Sequence, residues 1–548
     1  MASEHGAAHA ASSRRAILGC AFNLMNGTLG PGMLVLPLVF ARCGLLVGGL
    51  LLLLVWLFSY LALLLLLECC SRVRSSSLVH LARAYGPNMS TAVDVSVLLY
   101  FYGSCISYLI LMGGTFSTLV HGPADLAGAR HTMAAGGSSW SESAATHLDK
   151  VLLIGFTMVL LLPLACSHSL DRLSAASSLI LLLYAFITIV VWTCAVREAP
   201  EHHHAEHHHA AAEHHHGPPA ETTTLLGRMS HVLLPVVQAL PTMAYCFSSQ
   251  AVYPPALEAV QHLHGGYNAR SISRLLTDFT FSITLLGYLG VGVGGAVAVH
   301  GLPPANVLDA YAPGWALLGA QLSLITALGL SYPLMFIVAR THALSLAEGW
   351  LARRGSSGSA VIQRLTLVGV VLSVVVSIAF PRVEAVLGLI GGTCSVSLSF
   401  VIPALLYRRL VGMPGGQCYA YVVVDSAEHR GADGSSEELD LSTEEELEPV
   451  RDDVPNEDAR QSAPKLSAGF ASDGRKSAGH RKRAAGDRQG SLFRSPVLAR
   501  AAVYGSIVFG VSLAAISLPL QLSELRHRAF SSKLDTQTYL ADIFLAAN

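Results

Sequence analysis

The chain has 548 residues, of which 52% are hydrophobic and only 13% charged, and its formal net charge is −1. A soluble chain would carry about a quarter charged residues, so an ordinary soluble globule is excluded. The near-neutral total offers no argument for nucleic-acid binding. Long charge-free runs such as 45–67 alternate with short basic loops, the pattern of a polytopic membrane protein.

Residues 1–15 read as a cytosolic tail. Arg14 and Arg15 resemble the start of a secretory leader. The apolar stretch behind them, 16–40, is a full bilayer long, so it reads instead as a permanent first span. Inside it stand Asn23, Asn26, Gly27, Thr28, Gly30, Pro31 and Gly32. Glycine and proline weaken or break the helical ladder. Freed backbone groups find no partner in hydrocarbon, so they persist only beside a polar cavity. A broken helix with small polar side chains at mid-bilayer depth points to a transporter's substrate or ion site.

Hydropathy then gives spans near 45–69, 92–120, 150–167, 174–196, 230–253, 276–300, 315–339, 361–380, 384–407 and 500–520, about eleven in all. With the N-terminus in the cytosol, the cytosolic loops hold Arg72, Arg74, Arg83, Arg172, Arg270, Arg274, Arg340, Arg353, Arg354, Arg364, Arg408 and Arg409, against Arg130, Lys150, Arg197, Arg228 and Arg382 on the opposite side, as the positive-inside rule requires. The chain divides into a ten-helix core over 16–410, a cytosolic segment over 411–499 expected to be disordered, an eleventh span at 500–520 and a non-cytosolic tail at 521–548. The 411–499 segment begins acidic and ends basic, with few apolar residues to form a core. A histidine run (His202–His204, His207–His209, His214–His216) falls in a non-cytosolic loop over 200–220. It reads as a low-complexity insertion, with a metal or pH sensor as the alternative. The ten cysteines lie almost all in or beside spans, without a CxxC pair, and read as small buried hydrophobes.

The sixth span repeats the first span's irregularity. It runs from Pro241 through Cys246, Ser248, Ser249 and Gln250 to Pro254 and Pro255. Two halves of five spans, each opening with an interrupted helix, follow the inverted-repeat logic of secondary transporters. Half-helix N-termini would present N–H groups to a carboxylate, and unwound carbonyls would face an ammonium or a metal cation. An amino acid zwitterion suits both. Substrate-binding candidates are therefore Asn23, Asn26, Gly27, Thr28, Gly30, Gly32, Cys246, Ser248, Ser249 and Gln250. Close helix packing through small residues is the alternative reading. In the eighth span, Ser331 beside Pro333 could join Asn26 in a sodium site, or simply back-bond around a proline kink. Asp278 follows Arg274 by one turn and pairs with it on helical spacing. The small residues of the tenth span, Gly388, Gly391, Gly392 and Thr393, imply tight helix contacts or gating. No GxSxG, Walker A or HExxH motif occurs, so the chain reads as no enzyme, without a resident cofactor, and transport would use an ion gradient or run downhill.

These residues resemble the amino acid/auxin permease family, most of all its sodium-coupled neutral amino acid transporter branch. The family's first-span pattern is matched by Asn23, Asn26, Gly30, Gly32, Met33, Leu34, Leu36 and Pro37. Its eighth-span proline and arginine are matched by Pro333 and Arg340, and its tenth-span motif by Gly388, Gly391, Gly392, Thr393, Phe400, Val401 and Pro403. The resemblance implies an all-α polytopic protein of eleven helices, a leucine-transporter-type 5+5 inverted repeat plus one. It also implies a sodium site using Asn26 and an eighth-span hydroxyl position, which falls on Gly329 or Ser331. Ser248 and Ser249 stand where the family often has Cys-His, and proton coupling is common elsewhere in the family.

The expected function is secondary transport of an amino acid by alternating access, coupled to sodium or protons, in the plasma membrane or a vacuolar or lysosomal membrane. The partners expected are the small-molecule substrate and the lipid bilayer, not nucleic acid. A metal-ion carrier using the histidine loop and a nutrient receptor without net flux are the alternatives.

Overall fold

The computed structural model describes residues 17–73, 77–134, 148, 150–166, 176–209, 225–255, 267–299, 301–352, 358–412 and 496–546. The 1–15 tail, His214–His216 and most of 411–499 lie outside them. All regular structure among the described residues is helical. In chain order the helices are α1 (Ile17–Thr28), α2 (Gly32–Cys43), α3 (Leu45–Val73), α4 (Leu78–Tyr85), α5 (Pro87–Ala134), α6 (Lys150–Ala165), α7 (Ser177–His209), α8 (Leu225–Cys246), α9 (Tyr267–Ala298), α10 (Trp315–Ala352), α11 (Gly358–Ala379), α12 (Val383–Leu410) and α13 (Pro496–Ala546).

Among the described residues, eight helices are long and apolar enough to cross a membrane, and the bent pair α1–α2 makes a ninth. Where the sequence predicts a fourth and a sixth span, the apolar helices are shorter, Lys150–Ala165 and Leu233–Cys246. The short α4 was not predicted. Leu78, Leu81 and Ala82 bury one face of it, and the Ser77 hydroxyl caps its first turn by accepting from the His80 N–H. Beyond the predicted eleventh span the backbone stays helical, to Ala546.

Burial sorts the long helices. The apolar windows of α5 and α10 are 72% and 67% buried, so this packed pair forms the interior, whereas α11 is 28% buried and peripheral. Outward residues such as Leu46, Leu50, Leu182 and Ile189 are exposed, as a lipid-facing surface requires.

Polar links fasten helix ends to one another. Arg340 on α10 donates to the Ala165 carbonyl at the end of α6 (2.8 Å) and to the Thr366 hydroxyl on α11 (2.9 Å). A cation at a helix C-terminus satisfies carbonyls that have no intrahelical donor. Arg340→Met should therefore lower stability by about 2–3 kcal/mol, the worth of charge-assisted hydrogen bonds, read as a lower unfolding temperature in detergent. Asp94 at the start of α5 bonds His342 (2.7 Å) and Ser345 (3.1 Å) near the end of α10. Asp278 has the predicted Arg274 at 4.0 Å, and it also accepts a hydrogen bond from Tyr60 on α3.

Candidate functional site

The first predicted span is broken, with a bend of 50° between α1 and α2. Leu29 N–H still bonds the Met25 carbonyl (2.7 Å). Pro31 has no N–H to offer Gly27, so regular bonding stops there. The chain restarts through tight i+3 bonds, Met33 to Gly30 and Leu34 to Pro31. The Thr28 hydroxyl turns back onto the Leu24 carbonyl (2.9 Å).

The sixth predicted span breaks as well. α8 ends at Cys246, residues 247–252 are non-helical, and helix resumes at Tyr253. Pro254 and Pro255 remove the N–H groups that Gln250 and Ala251 would need to continue a helix. Single turns hold the segment, with Ser248 N–H on the Tyr245 carbonyl (3.2 Å) and Val252 N–H on the Ser249 carbonyl (2.9 Å).

The two breaks cross in close contact, and glycines make the approach possible. A Cβ at Gly32 would lie 2.5 Å from the Cys246 sulfur, and one at Gly27 would lie 2.9 Å from Val252. Gly30 is looser. Its Cβ would meet the Tyr108 and Tyr245 hydroxyls at 3.7 and 4.0 Å, ordinary contact distances. Tyr288 on α9 joins the broken ends directly. Its hydroxyl lies 2.6 Å from the Thr28 carbonyl and 3.0 Å from the Cys246 carbonyl. These are the C-terminal carbonyls of α1 and α8, where helix dipoles concentrate negative potential. Both carbonyls thus converge on one hydroxyl.

Other candidates serve the shape of the second break. Gln250 donates to the Ser59 hydroxyl on α3 (2.9 Å), and Ser59 donates to the Phe247 carbonyl (2.8 Å). Ser399 on α12 lies 2.8 Å from the Ser248 hydroxyl and 2.9 Å from the Gln250 carbonyl oxygen. All four side chains are buried, so this network holds the unwound segment between α3 and α12. Ser249 differs, since its buried hydroxyl has no hydrogen-bond partner. Asn23 is half-buried one turn before Asn26.

Asn26 and Ser331 do meet. The Ser331 hydroxyl lies 3.5 Å from the Asn26 side-chain oxygen, and the Asn26 amide donates to Ser177 on α7 (3.2 Å). A Cβ at Gly329 would instead press Phe156 on α6. Of the two residues open in the sequence, Ser331 is the one that faces Asn26. Tyr108, Ser177, Tyr245, Tyr288, Ser59 and Ser399 were not singled out from the sequence, because a lone hydroxyl in an apolar helix carries no local signal. In α12, where the sequence implied tight packing, a Cβ at Gly391 would overlap the Pro241 carbonyl of α8.

Comparison with known proteins identifies the family. The family described as transmembrane amino acid transporter protein matches residues 14–417. Human solute carrier family 38 member 10 is 22% identical over 72% of the chain, which corresponds to 32% of that protein. The chain thus spans about a third of that relative's length. Vacuolar amino acid transporter 5 of Schizosaccharomyces pombe is 23% identical over 72% of the chain and 85% of its own length. Sodium-coupled neutral amino acid transporter 7 of Danio rerio is 24% identical over 71% of the chain and 77% of its own length. With two broken helices crossing at a buried polar centre and a match over most of its length, the chain belongs to the transmembrane amino acid transporter protein family.

Proposed function

We propose that this protein is a secondary carrier that moves an amino acid across its membrane by alternating access, coupled to sodium or protons. The observation that carries the reading is the pair of breaks facing each other, with the Thr28 and Cys246 carbonyls converging on one hydroxyl. There the substrate ammonium meets carbonyls, and its carboxylate meets N–H groups freed in the unwound stretches. Rocking of one helix group against the other then exposes the site to each side in turn.

An eleven-span, 5+5-plus-one topology with a cytosolic N-terminus fits the way helix ends meet. The ends of α6 and α10 share one side with the starts of α5 and α11, as alternating crossings require. The membrane proposed is the plasma membrane or a vacuolar or lysosomal one.

Sodium coupling draws support from Asn26, Ser331 and Ser177, three neutral oxygen-bearing side chains gathered in the buried interior. The direct test is uptake of radiolabelled alanine, glutamine, leucine, histidine and arginine, assayed singly into proteoliposomes with sodium and pH gradients imposed separately. Uptake of none of them defeats the proposal. If sodium drives uptake, Ser331→Ala should raise the sodium concentration for half-maximal rate roughly tenfold, the order of one lost charge-assisted contact, while uptake at saturating sodium stays near wild type. An unchanged sodium dependence would remove Ser331 from the ion site.

A further inference from the structure

Away from the helix breaks, the outer face of α7 carries an open groove of about 520 Å³, lined by Thr188, Ile189, Trp192, Thr193, Val196 and Arg197. These positions recur at three- and four-residue spacing, so they share one face of the helix. Ile189, Trp192 and Val196 are exposed. The apolar stretch of α7 covers Ser177–Arg197, 21 residues. At about 1.5 Å per residue it matches the roughly 30 Å of hydrocarbon in a bilayer. Arg197 therefore falls where hydrocarbon gives way to headgroups, with Trp192 just inside, at the depth that tryptophan favours.

Three features set the groove apart from ordinary lipid-facing surface. Its wall is built into the fold. Gly290 and Gly294, one turn apart on α9, leave room for the Trp192 indole, since a Cβ at the first would lie 3.5 Å from the ring and one at the second 3.3 Å. The indole thus rests on α9 as one side of the groove. The groove is also dry. The Thr188 and Thr193 hydroxyls donate to the Tyr184 and Val190 carbonyls of their own helix, both at 2.8 Å, so neither is left to bind a polar guest. Among the described residues that line it, Arg197 alone carries charge. An apolar trough that ends in a guanidinium is complementary to an amphiphile with an anionic head, because a guanidinium takes a phosphate through two parallel N–H bonds. The volume lies within the range of pockets that take small ligands, about 300–1,000 Å³.

We propose that this groove is a binding site for an anionic phospholipid, with one acyl chain along the α7 face beside Trp192 and the phosphate on Arg197. Glu201, four residues on, is the rival partner for Arg197 by helical spacing. An exposed helical ion pair of that kind is worth much less than charge-assisted hydrogen bonds to a phosphate, so the lipid takes the guanidinium. The proposal stands apart from the carrier reading, since it concerns the lipid-facing side of α7 and not the helix breaks.

The test uses the full chain, stripped of lipid in detergent and titrated with phosphatidylglycerol, phosphatidylcholine or cholesterol. Bound lipid is counted by native mass spectrometry, and the unfolding temperature is followed in parallel. Phosphatidylglycerol should bind the wild type about fivefold more tightly than phosphatidylcholine and should raise its unfolding temperature. Arg197→Gln should weaken phosphatidylglycerol about tenfold, the order of lost charge-assisted bonds, and abolish the preference, while its unfolding temperature without lipid stays that of wild type. Trp192→Ala should weaken both phospholipids about equally and keep the preference. Glu201→Gln should strengthen phosphatidylglycerol binding by freeing the guanidinium. Arg382→Gln, at another exposed arginine, should change nothing. Equal binding of the two phospholipids by the wild type, or an equal loss in Arg382→Gln, would reveal a general surface effect and overturn the proposal. Unaltered binding by Arg197→Gln overturns it as well, and so does stronger stabilisation by cholesterol, which would make the groove a sterol site.

Discussion

Gly30→Val is expected to reduce uptake by about a hundredfold or more, the penalty for displacing a bound ligand by roughly an ångström, while surface delivery and unfolding temperature stay near wild type. Gly30 sits where the first helix is open, and a Cβ there makes only ordinary contacts with the Tyr108 and Tyr245 hydroxyls. Its φ is not positive, so a side chain adds no backbone strain. Gly30→Ala should therefore fold and keep most activity. The two further methyl groups of valine have to fit at the break where we propose that substrate binds. Radiolabelled uptake by both variants, normalised to the protein reconstituted, checks this. Normal uptake by Gly30→Val would move the substrate away from the first break.

Gly32→Ala should behave differently, because the limit there is packing. Its methyl group would lie 2.5 Å from the Cys246 sulfur, closer than atoms tolerate. Overpacking of this kind costs about 1–3 kcal/mol. The expected result is a lower unfolding temperature together with impaired uptake. Removing the sulfur makes room, so Gly32→Ala combined with Cys246→Ala should recover much of both. The coupling expected between the two sites is about 1–2 kcal/mol, measured as a double-mutant cycle on detergent-solubilised protein. Additive effects would show that the two breaks do not press on each other. The pair of glycines thus separates two properties of one crossing, since Gly30 tests room for a ligand and Gly32 tests contact between half-helices.

Much of this was legible in the chain itself. Apolar runs a bilayer long, separated by arginine-bearing loops, located the helices, although α5, α10 and α13 run on past the predicted span ends to Ala134, Ala352 and Ala546. The first break was visible because Gly30, Pro31 and Gly32 act on the backbone where they stand. The second was visible from Ser248, Ser249 and the two prolines that follow. Asn26 with Ser331 was expected as a pair, although Gly329 competed for the same role until Phe156 was seen beside it. α4 was missed because eight residues of amphipathic pattern do not stand out beside long apolar spans.

What the sequence alone determined is local chemistry: which segments suit hydrocarbon, and where the helical ladder lacks a donor. Only the tertiary structure decided who fills the gaps. Tyr288 reaches a carbonyl 260 residues away, Ser59 one 188 residues away, and Ser399 a hydroxyl 151 residues away. The physical reason is that the helices of a membrane protein, interior or lipid-facing, are apolar on every side. In α3 and α10 the apolar character is spread almost evenly around the axis, so no periodicity separates an inward hydroxyl from an outward one, and the inward face is chosen by packing against distant helices.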